Sequence, residues 1–387
     1  MSKTFDYIII GGGCIGASIA YHLAKRGAGS IALLERNKFL GEESTGKCAG
    51  GVRTQFSTEV NSRLSVLSIE NFERFEEELD SPLQFTQWGY LFLLRGDALM
   101  AAFRKSYDMW GSIGIDAEWL EPEEISKRFP YVNMDEVLGA TFCARDGFAD
   151  PNDIVQGYAK AARDKGCEEF TECEVTGFTL NESKDAITSV QTSQGDFVAG
   201  KSVVFAAGAW TKKLGEHIGV EIPIKPYRRQ ILVTKEFNDI EMPFPMTVDM
   251  ASSLYFHPES GGILIGMSDR EEPSSFEQTL NEDFSDQMLM EAMERCPPLE
   301  NAAVKRGWAG LYEVTPDHHP IFDWAGHVKN AFICAGFSGH GLMHTPAAGI
   351  ITAEMLLDVA AKSVDVSSLS LERFKNPELL QDEANVI

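Results

Sequence analysis

The sequence predicts an α/β protein in which a parallel-sheet domain is interrupted twice by an α+β domain built on an antiparallel sheet. Three observations carry this reading. A strand–turn–helix–strand unit with closely spaced glycines lies at residues 6–35, and a second glycine-rich strand–turn–helix lies near residues 331–360. Between them the texture switches twice from alternating strands and helices to aromatic, β-rich segments. The boundaries fall at 1–80, 147–218 and 303–363 for the first domain and at 81–146 and 219–302 for the second, with 364–387 left as a C-terminal tail.

Tyr7 to Ile10 is a short β-branched apolar run, as expected of a strand buried on both faces. Gly11, Gly13 and Gly16 follow at G-x-G-x-x-G spacing. Ile15, Ile19 and Leu23 then recur at helical intervals, Ala17, Ala20 and Ala24 allow close packing on a sheet, and Gly27 marks the helix end. Ile31 to Leu34 is a second buried strand, closed by Glu35. The spacing has a mechanism. Gly11 permits the tight turn, Gly13 lets a pyrophosphate approach the backbone, and Gly16 lets helix and strand touch, while the helix N-terminus offers free N–H groups to the phosphates. Glu35, 19 residues after Gly16, is placed to accept hydrogen bonds from a ribose and would repel a 2′-phosphate. The unit is built for a dinucleotide other than NADP.

A polar, glycine-dotted loop follows, RNKFLGEESTGKCAGGVRTQF, and then one long amphipathic helix is expected over 58–79, ended by Ser81-Pro82. The inserted segments begin with an aromatic strand, FTQWGYLFLL, a helix near 97–110 and a strand LGATFCA. A helix over 151–165 starts at Pro151 and stops at Gly166, with strands at 170–178, 187–192 and 197–207. Residues 225–268 are expected to be antiparallel, LYFHPES and GILIGMS being joined by a turn at Gly261-Gly262. A helix near 283–295 ends at Pro297-Pro298.

Bulk properties exclude several classes. The net charge of −24 disfavours nucleic acid and anionic membrane surfaces as partners. No apolar run reaches the ~20 residues needed to span a bilayer, and the glycine-filled N-terminal run lacks the cleavage pattern of a signal peptide. Seven dispersed cysteines without a C-x-x-C pair point to reduced thiols and a cytoplasmic location, with no metal-ligand spacing.

A nicotinamide enzyme has little need of the second glycine-rich unit, which begins 320 residues after Gly16 at Gly336. A flavoprotein does need it, because its distant ring requires separate support. The cofactor expected is FAD.

At FICAGFSGHGLMHTPAAG and GWAGLYEVTPDHHPIF, together with the N-terminal fingerprint, the sequence resembles the FAD-dependent D-amino-acid-oxidase-like superfamily. Within it, it is most similar to the group of the sarcosine oxidase β subunit, the L-proline dehydrogenase β subunit and glycine oxidase. The resemblance covers nearly the whole chain. It implies a Rossmann-like FAD-binding domain, and oxidation of the C–N bond of a secondary amine or amino acid to an imine, with hydride passing to flavin N5. It places the cofactor against Gly11, Gly13, Cys14, Ile15, Gly16, Glu35, Arg36, Ser44, Thr45 and Lys47 near the start of the chain. Further on it adds Val175, Ala207, Gly208, Trp210, Gly310, Gly336, Gly339, His340, Gly341, Leu342 and Met343. N–H groups of the 336–341 turn would face the flavin edge that gains negative charge on reduction.

Arg53 matches the family's substrate-carboxylate arginine, and a planar guanidinium pairs bidentately with a carboxylate. Tyr255 and His257, on the sheet that roofs the site in the family, are candidates to bind or deprotonate the amine. His340 either bonds the ring or shapes its loop. Of Arg228 and Arg229, adjacent on a strand, at most one reaches the pocket. Three departures matter. Gly310 stands where some sarcosine oxidases carry a flavin-linking cysteine, so FAD is expected to be non-covalent. Met343 replaces a second carboxylate-binding lysine. Leu264 or Ile265 replaces the lysine that activates oxygen, so a dehydrogenase reoxidised by a quinone, a dye or a partner subunit is expected. Two alternatives stay open: a 2-hydroxy acid or glycerol-phosphate dehydrogenase of the same superfamily, and a non-catalytic FAD-containing assembly factor.

Overall fold

The computed structural model describes residues 3–376, 378 and 381–386. Strand β1 (Lys3–Ile10) pairs in parallel with β2 (Ile31–Leu34) on one side and with the long strand Gly195–Phe205 on the other. That long strand is shared. Its first half takes Ile187–Thr192 antiparallel, and its last residues take Val328–Ala335 parallel. Glu168–Phe170 extends the other edge beside β2. Helix α1 (Cys14–Lys25) lies on one face of this sheet and packs against helices Pro151–Asp164 and Thr345–Asp358. Gly349 makes the last contact possible: a Cβ there would lie 2.2 Å from Ser18 Oγ.

A second eight-stranded sheet holds Tyr90–Arg95, Ala117–Leu120, Val137–Cys143 and the strands of residues 225–267. It is antiparallel except where Met246–Asp249 runs parallel to Tyr90–Arg95. Alternation along its strands splits the side chains between two cores. Leu232, Phe256 and Ile265 pack away from the first sheet's helices in one cluster, while Ile231, Tyr255 and Leu264 pack in the other. A small three-stranded sheet joins Gly51–Val52, Phe85–Thr86 and Gly147–Ala149.

The structure differs from the sequence reading in several places. The strand expected over 170–178 is two, Glu168–Phe170 and Val175–Leu180, at opposite edges of the first sheet. The helix expected over 58–79 is two, Glu59–Phe72 and Phe75–Leu79. Phe72 and Phe75 are both buried, and the break at Arg74 turns both into the core. Strand Val304–Val314, assigned above to the first domain, is the edge strand of the second sheet, paired along its length with Lys225–Thr234. The described residues from 364 to 386 are not a loose tail. Arg373 forms a buried bidentate pair with Asp317 at 2.7 and 3.1 Å, and the segment beyond returns to the start of helix Glu59–Phe72.

Candidate functional site

The first cleft opens at the carboxyl ends of β1 and its neighbours, where ligands bind in open α/β sheets. Gly11 adopts φ +115°, and a Cβ on Gly16 would stand 1.9 Å from its carbonyl oxygen. Neither position admits a side chain. Gly13 precedes α1 in extended backbone, leaving the helix's first N–H groups open to the cleft except where Cys14 N–H donates to Thr45 Oγ1 at 3.2 Å. The Glu35 carboxylate, at the end of β2, accepts from Gly12 N–H at 2.9 Å and from Asn37 N–H at 2.8 Å. Next to it Arg36 lies over the Trp210 ring at 3.7 Å and pairs with Glu43 at 2.6 Å. The cleft, about 510 Å³, runs from Glu35, Arg36, Val175 and Trp210 past Ile15, Ala207 and Gly208 to Gly310, Gly339, Gly341 and Leu342.

The far end is formed by the 336–341 turn. Gly336 and Gly339 have φ of +83° and +99°, and a Cβ on Gly339 would strike the Tyr312 ring at 2.2 Å. Glu313 reaches under this turn and accepts from Phe337 N–H at 3.3 Å, while its Oε2 is buried without a partner. Burial pushes its pKa up to about 7. An orphaned acceptor beside a glycine cradle suits a hydroxyl-bearing chain. These residues fit FAD: the N-terminus of α1 would receive its phosphates, Glu313 its ribityl hydroxyls and the 336–341 turn its ring.

A loop from the first half of the chain is pinned between this cleft and the second sheet. Ser44 Oγ donates to Leu311 O at 2.7 Å, Trp308 Nε1 donates to Lys47 O at 2.9 Å, and Lys47 Nζ bonds Glu43 and Gln278.

A second, smaller cavity of about 50 Å³ shares Cys48, Ala49, Tyr255, Tyr312, Gly339 and Leu342 with the cleft. Arg53, Tyr90, Met246, His340, Met343 and Val386 also line it, together with Gly50, Gly51 and Ser338. Arg53 is 2% exposed and lies over the Phe56 ring at 3.9 Å. Its Nη1 donates to Gln55 O at 3.0 Å and its Nη2 to Asn385 O. Burial lowers its proton affinity, and Tyr90, Glu383 and Asp146 partly restore it. Tyr90, Tyr255 and Tyr312 are pushed up, burial being the main cause in each, so all three phenols keep their protons. Burial, and then His344, hold His340 well below its usual value, so its ring is neutral, with Nε2 unpartnered. Among the described residues lining this cavity, Arg53 is the one cation.

Most of the residues named from the sequence line one space or the other, and five, His257, Gly16, Gly336, His340 and Met343, are not where that reading put them. His257 faces neither. It is 1% exposed, stacks on Phe148 at 4.4 Å, and meets Ala49 O at 3.0 Å and Pro258 O at 2.8 Å, so it pins the loop rather than an amine. Gly16 and Gly336 lie behind the cleft wall and act through close backbone packing. Met343 and His340 line the smaller cavity and not the cofactor cleft, whereas Gly339 and Leu342 line both. Arg229 is the member of its pair that lines the cleft, 5.3 Å from the Tyr312 ring, while Arg228 pairs with Glu272 at 3.0 Å. Of the two residues named for the missing lysine, Leu264 lies on the same face of the sheet as Tyr255 but lines neither space, and Ile265 points into the opposite core.

Sequence reasoning missed Tyr90, Tyr312, Glu313 and Val386. Tyr312 and Glu313 lie inside the YEVTPD motif and were legible there. Tyr90 reads as one aromatic among many, and Val386 carries no local signal.

The FAD-dependent oxidoreductase family model, known as DAO, matches residues 6–355. The chain is 30% identical over 99% of its length to "FAD-dependent oxidoreductase domain-containing protein 1" of Xenopus laevis, of which it covers 85%. It is 29% identical over 98% of its length to "Sarcosine oxidase subunit beta" of Arthrobacter sp, covering 93% of that protein. The L-proline dehydrogenase structure from P. horikoshii superposes with a TM-score of 0.90 at 30% identity, covering 97% of this chain and 99% of the other. Glycine fingerprint, cleft and family match lead to one conclusion: the chain belongs to the FAD-dependent oxidoreductases.

Proposed function

We propose that the chain oxidises the C–N bond of a secondary amine or amino acid, such as sarcosine or proline, to an imine. The observation that carries this is Arg53: a buried guanidinium in a small cavity that shares Tyr255 and Tyr312 with the cofactor cleft. The names of two relatives, a sarcosine oxidase subunit and an L-proline dehydrogenase, support the same substrate class. Arg53 retains three N–H donors beyond those given to Gln55 and Asn385, enough for a bidentate carboxylate. That anchor would hold the substrate with its Cα–N bond toward the shared wall. Bound FAD supplies the acceptor for the two electrons removed.

Among the described residues lining the cavity, none is suited to take an ammonium proton at neutral pH, since His340 is held well below its usual value and burial pushes the phenols above theirs. The amine therefore reacts in the neutral form in which it arrives, and the phenols orient it as donors or acceptors. Imine release leaves hydrolysis to solvent. We further propose that FAD is held without a covalent bond, because a Cβ at Gly310 would lie 2.9 Å from Lys47 Cβ. The electron acceptor in this reading is a quinone, a dye or a partner subunit, since Leu264 supplies no charge where oxygen would be reduced. Arg229 is the cation through which oxygen reactivity would enter. The division into cofactor and substrate domains, a cytoplasmic location and a hetero-oligomeric partner belong to the same proposal.

The test pairs a substrate screen with Arg53→Lys. Amine and hydroxy-acid oxidation are compared with an artificial electron acceptor. Retained flavin, an amine substrate and a KM raised about 10²-fold in R53K support the reading, this being the loss expected when a bidentate pair becomes a point charge. Unchanged KM in R53K, or activity confined to hydroxy acids, overturns it.

A further inference from the structure

We propose that residues 383–386 form a fixed outer wall of the substrate cavity and that Val386 sets the size of the acid admitted beside Arg53; this rests on the carboxylate role of Arg53 given above. The segment reaches the cavity from more than 300 positions away in sequence and is built into place: Ser57 and Glu383, for instance, are 326 residues apart.

Glu383 is the anchor. It is 1% exposed, and its carboxylate accepts five hydrogen bonds from the turn that starts helix Glu59–Phe72. Ser57 gives its N–H and Oγ–H, both at 2.6 Å; Thr58 gives its N–H at 3.1 Å and Oγ1–H at 2.6 Å; Asn61 gives Nδ2–H at 3.2 Å. A carboxylate at a helix N-terminus also meets the favourable end of the helix dipole. The chain is tied again on both sides. Glu383 N–H donates to Asp317 O at 3.1 Å, Ala384 N–H to Ser57 Oγ at 2.8 Å, and Asn385 Nδ2 to Gln55 O at 3.2 Å. A segment held in this way is a wall and not a movable plug.

Two functional consequences follow from its position. The Asn385 carbonyl accepts from Arg53 Nη2, so the wall fixes the plane of the guanidinium and decides which of its N–H groups face the cavity. Val386 then lines the same space, together with Tyr90, Tyr255 and Tyr312. A β-branched side chain opposite three phenols restricts the substituents that an acid bound at Arg53 can carry.

The experiment uses the FAD-loaded protein and two non-oxidisable carboxylates, acetate and benzoate, titrated against the flavin absorbance spectrum. Wild type is expected to bind acetate more tightly than benzoate. Val386→Gly is expected to shift the benzoate-to-acetate ratio at least about tenfold toward benzoate, since a few carbons of pocket space are worth that much. Glu383→Gln, which keeps shape and removes the charge from the anchor, is expected to weaken both acids. A ratio unchanged in V386G, with both acids still bound, overturns the wall and leaves the carboxylate role of Arg53 standing. If neither acid perturbs the spectrum of wild type, both readings fall. Where Glu383→Gln lowers flavin content, V386G alone decides.

Discussion

Replacing Asp146 with asparagine should stabilise the protein by more in alkaline than in mildly acidic buffer. Asp146 is completely buried under the Arg53 loop. Its Oδ1 accepts from Thr54 N–H at 3.0 Å and Thr54 Oγ1–H at 2.8 Å, and its Oδ2 accepts from Gln55 Nε2 at 3.2 Å. Burial outweighs these bonds and pushes its pKa from 3.8 up to about 6. The folded chain thus retains a proton that the unfolded chain has already released. Stability falls as pH rises through the window between those two values, and the loss is complete above about pH 6. At about 1.4 kcal/mol per tenfold change in proton affinity, it amounts to about 3 kcal/mol. Asparagine escapes that cost, but its amide nitrogen would face Gln55 Nε2. Gln55 can turn its unpartnered Oε1 toward it only by giving up its bond to Tyr90 O. One hydrogen bond is lost either way, about 1 kcal/mol. The net expectation for D146N is a gain of about 2 kcal/mol at pH 8, shrinking to about 0.6 kcal/mol at pH 5 and to about zero near pH 4.5. Urea unfolding of the FAD-loaded proteins at pH 8 and pH 5 measures this. Equal destabilisation of D146N at both would refute the assignment of the cost to a buried charge.

Three further outcomes are expected. Gly16→Ala places a carbon 1.9 Å from Gly11 O and should yield folded protein without flavin, read from the visible spectrum. Acid precipitation should leave FAD in the supernatant, and yellow pellets would mean a covalent bond. Reduced enzyme should reoxidise in air at least about 10²-fold more slowly than with a dye, the usual size of a missing electrostatic term; stopped-flow absorbance settles it, and equal rates would point to Arg229.

The nucleotide end of the site was legible because its chemistry is local. Three glycines, a strand, a helix and an acid lie within 30 residues, and their spacing is itself the geometry. The substrate end was not. Arg53 could be named from its loop, but Asn385, which accepts from it, and Tyr90, which holds its neighbour Gln55, reach it only through the tertiary fold. His257 looked like a base because polar residues on a pocket sheet invite that role, whereas register places its ring against Ala49 and Phe148. The 364–387 segment reads as a tail because its anchors, Arg373 and Glu383, are single charged residues whose partners lie 56 and 326 positions away.

The loop around Ser44, Lys47 and Ala49 is clasped by strands of the second sheet at Leu311, Trp308 and His257. The flavin cleft is therefore closed from both sheets. A cofactor held there would touch both layers, so its residence time should report how firmly they hold together. Gentle denaturants should loosen the grip first and colour should leave the protein before its helices melt. Conversely, saturating flavin should act as a rivet, making two separately built layers unfold as one.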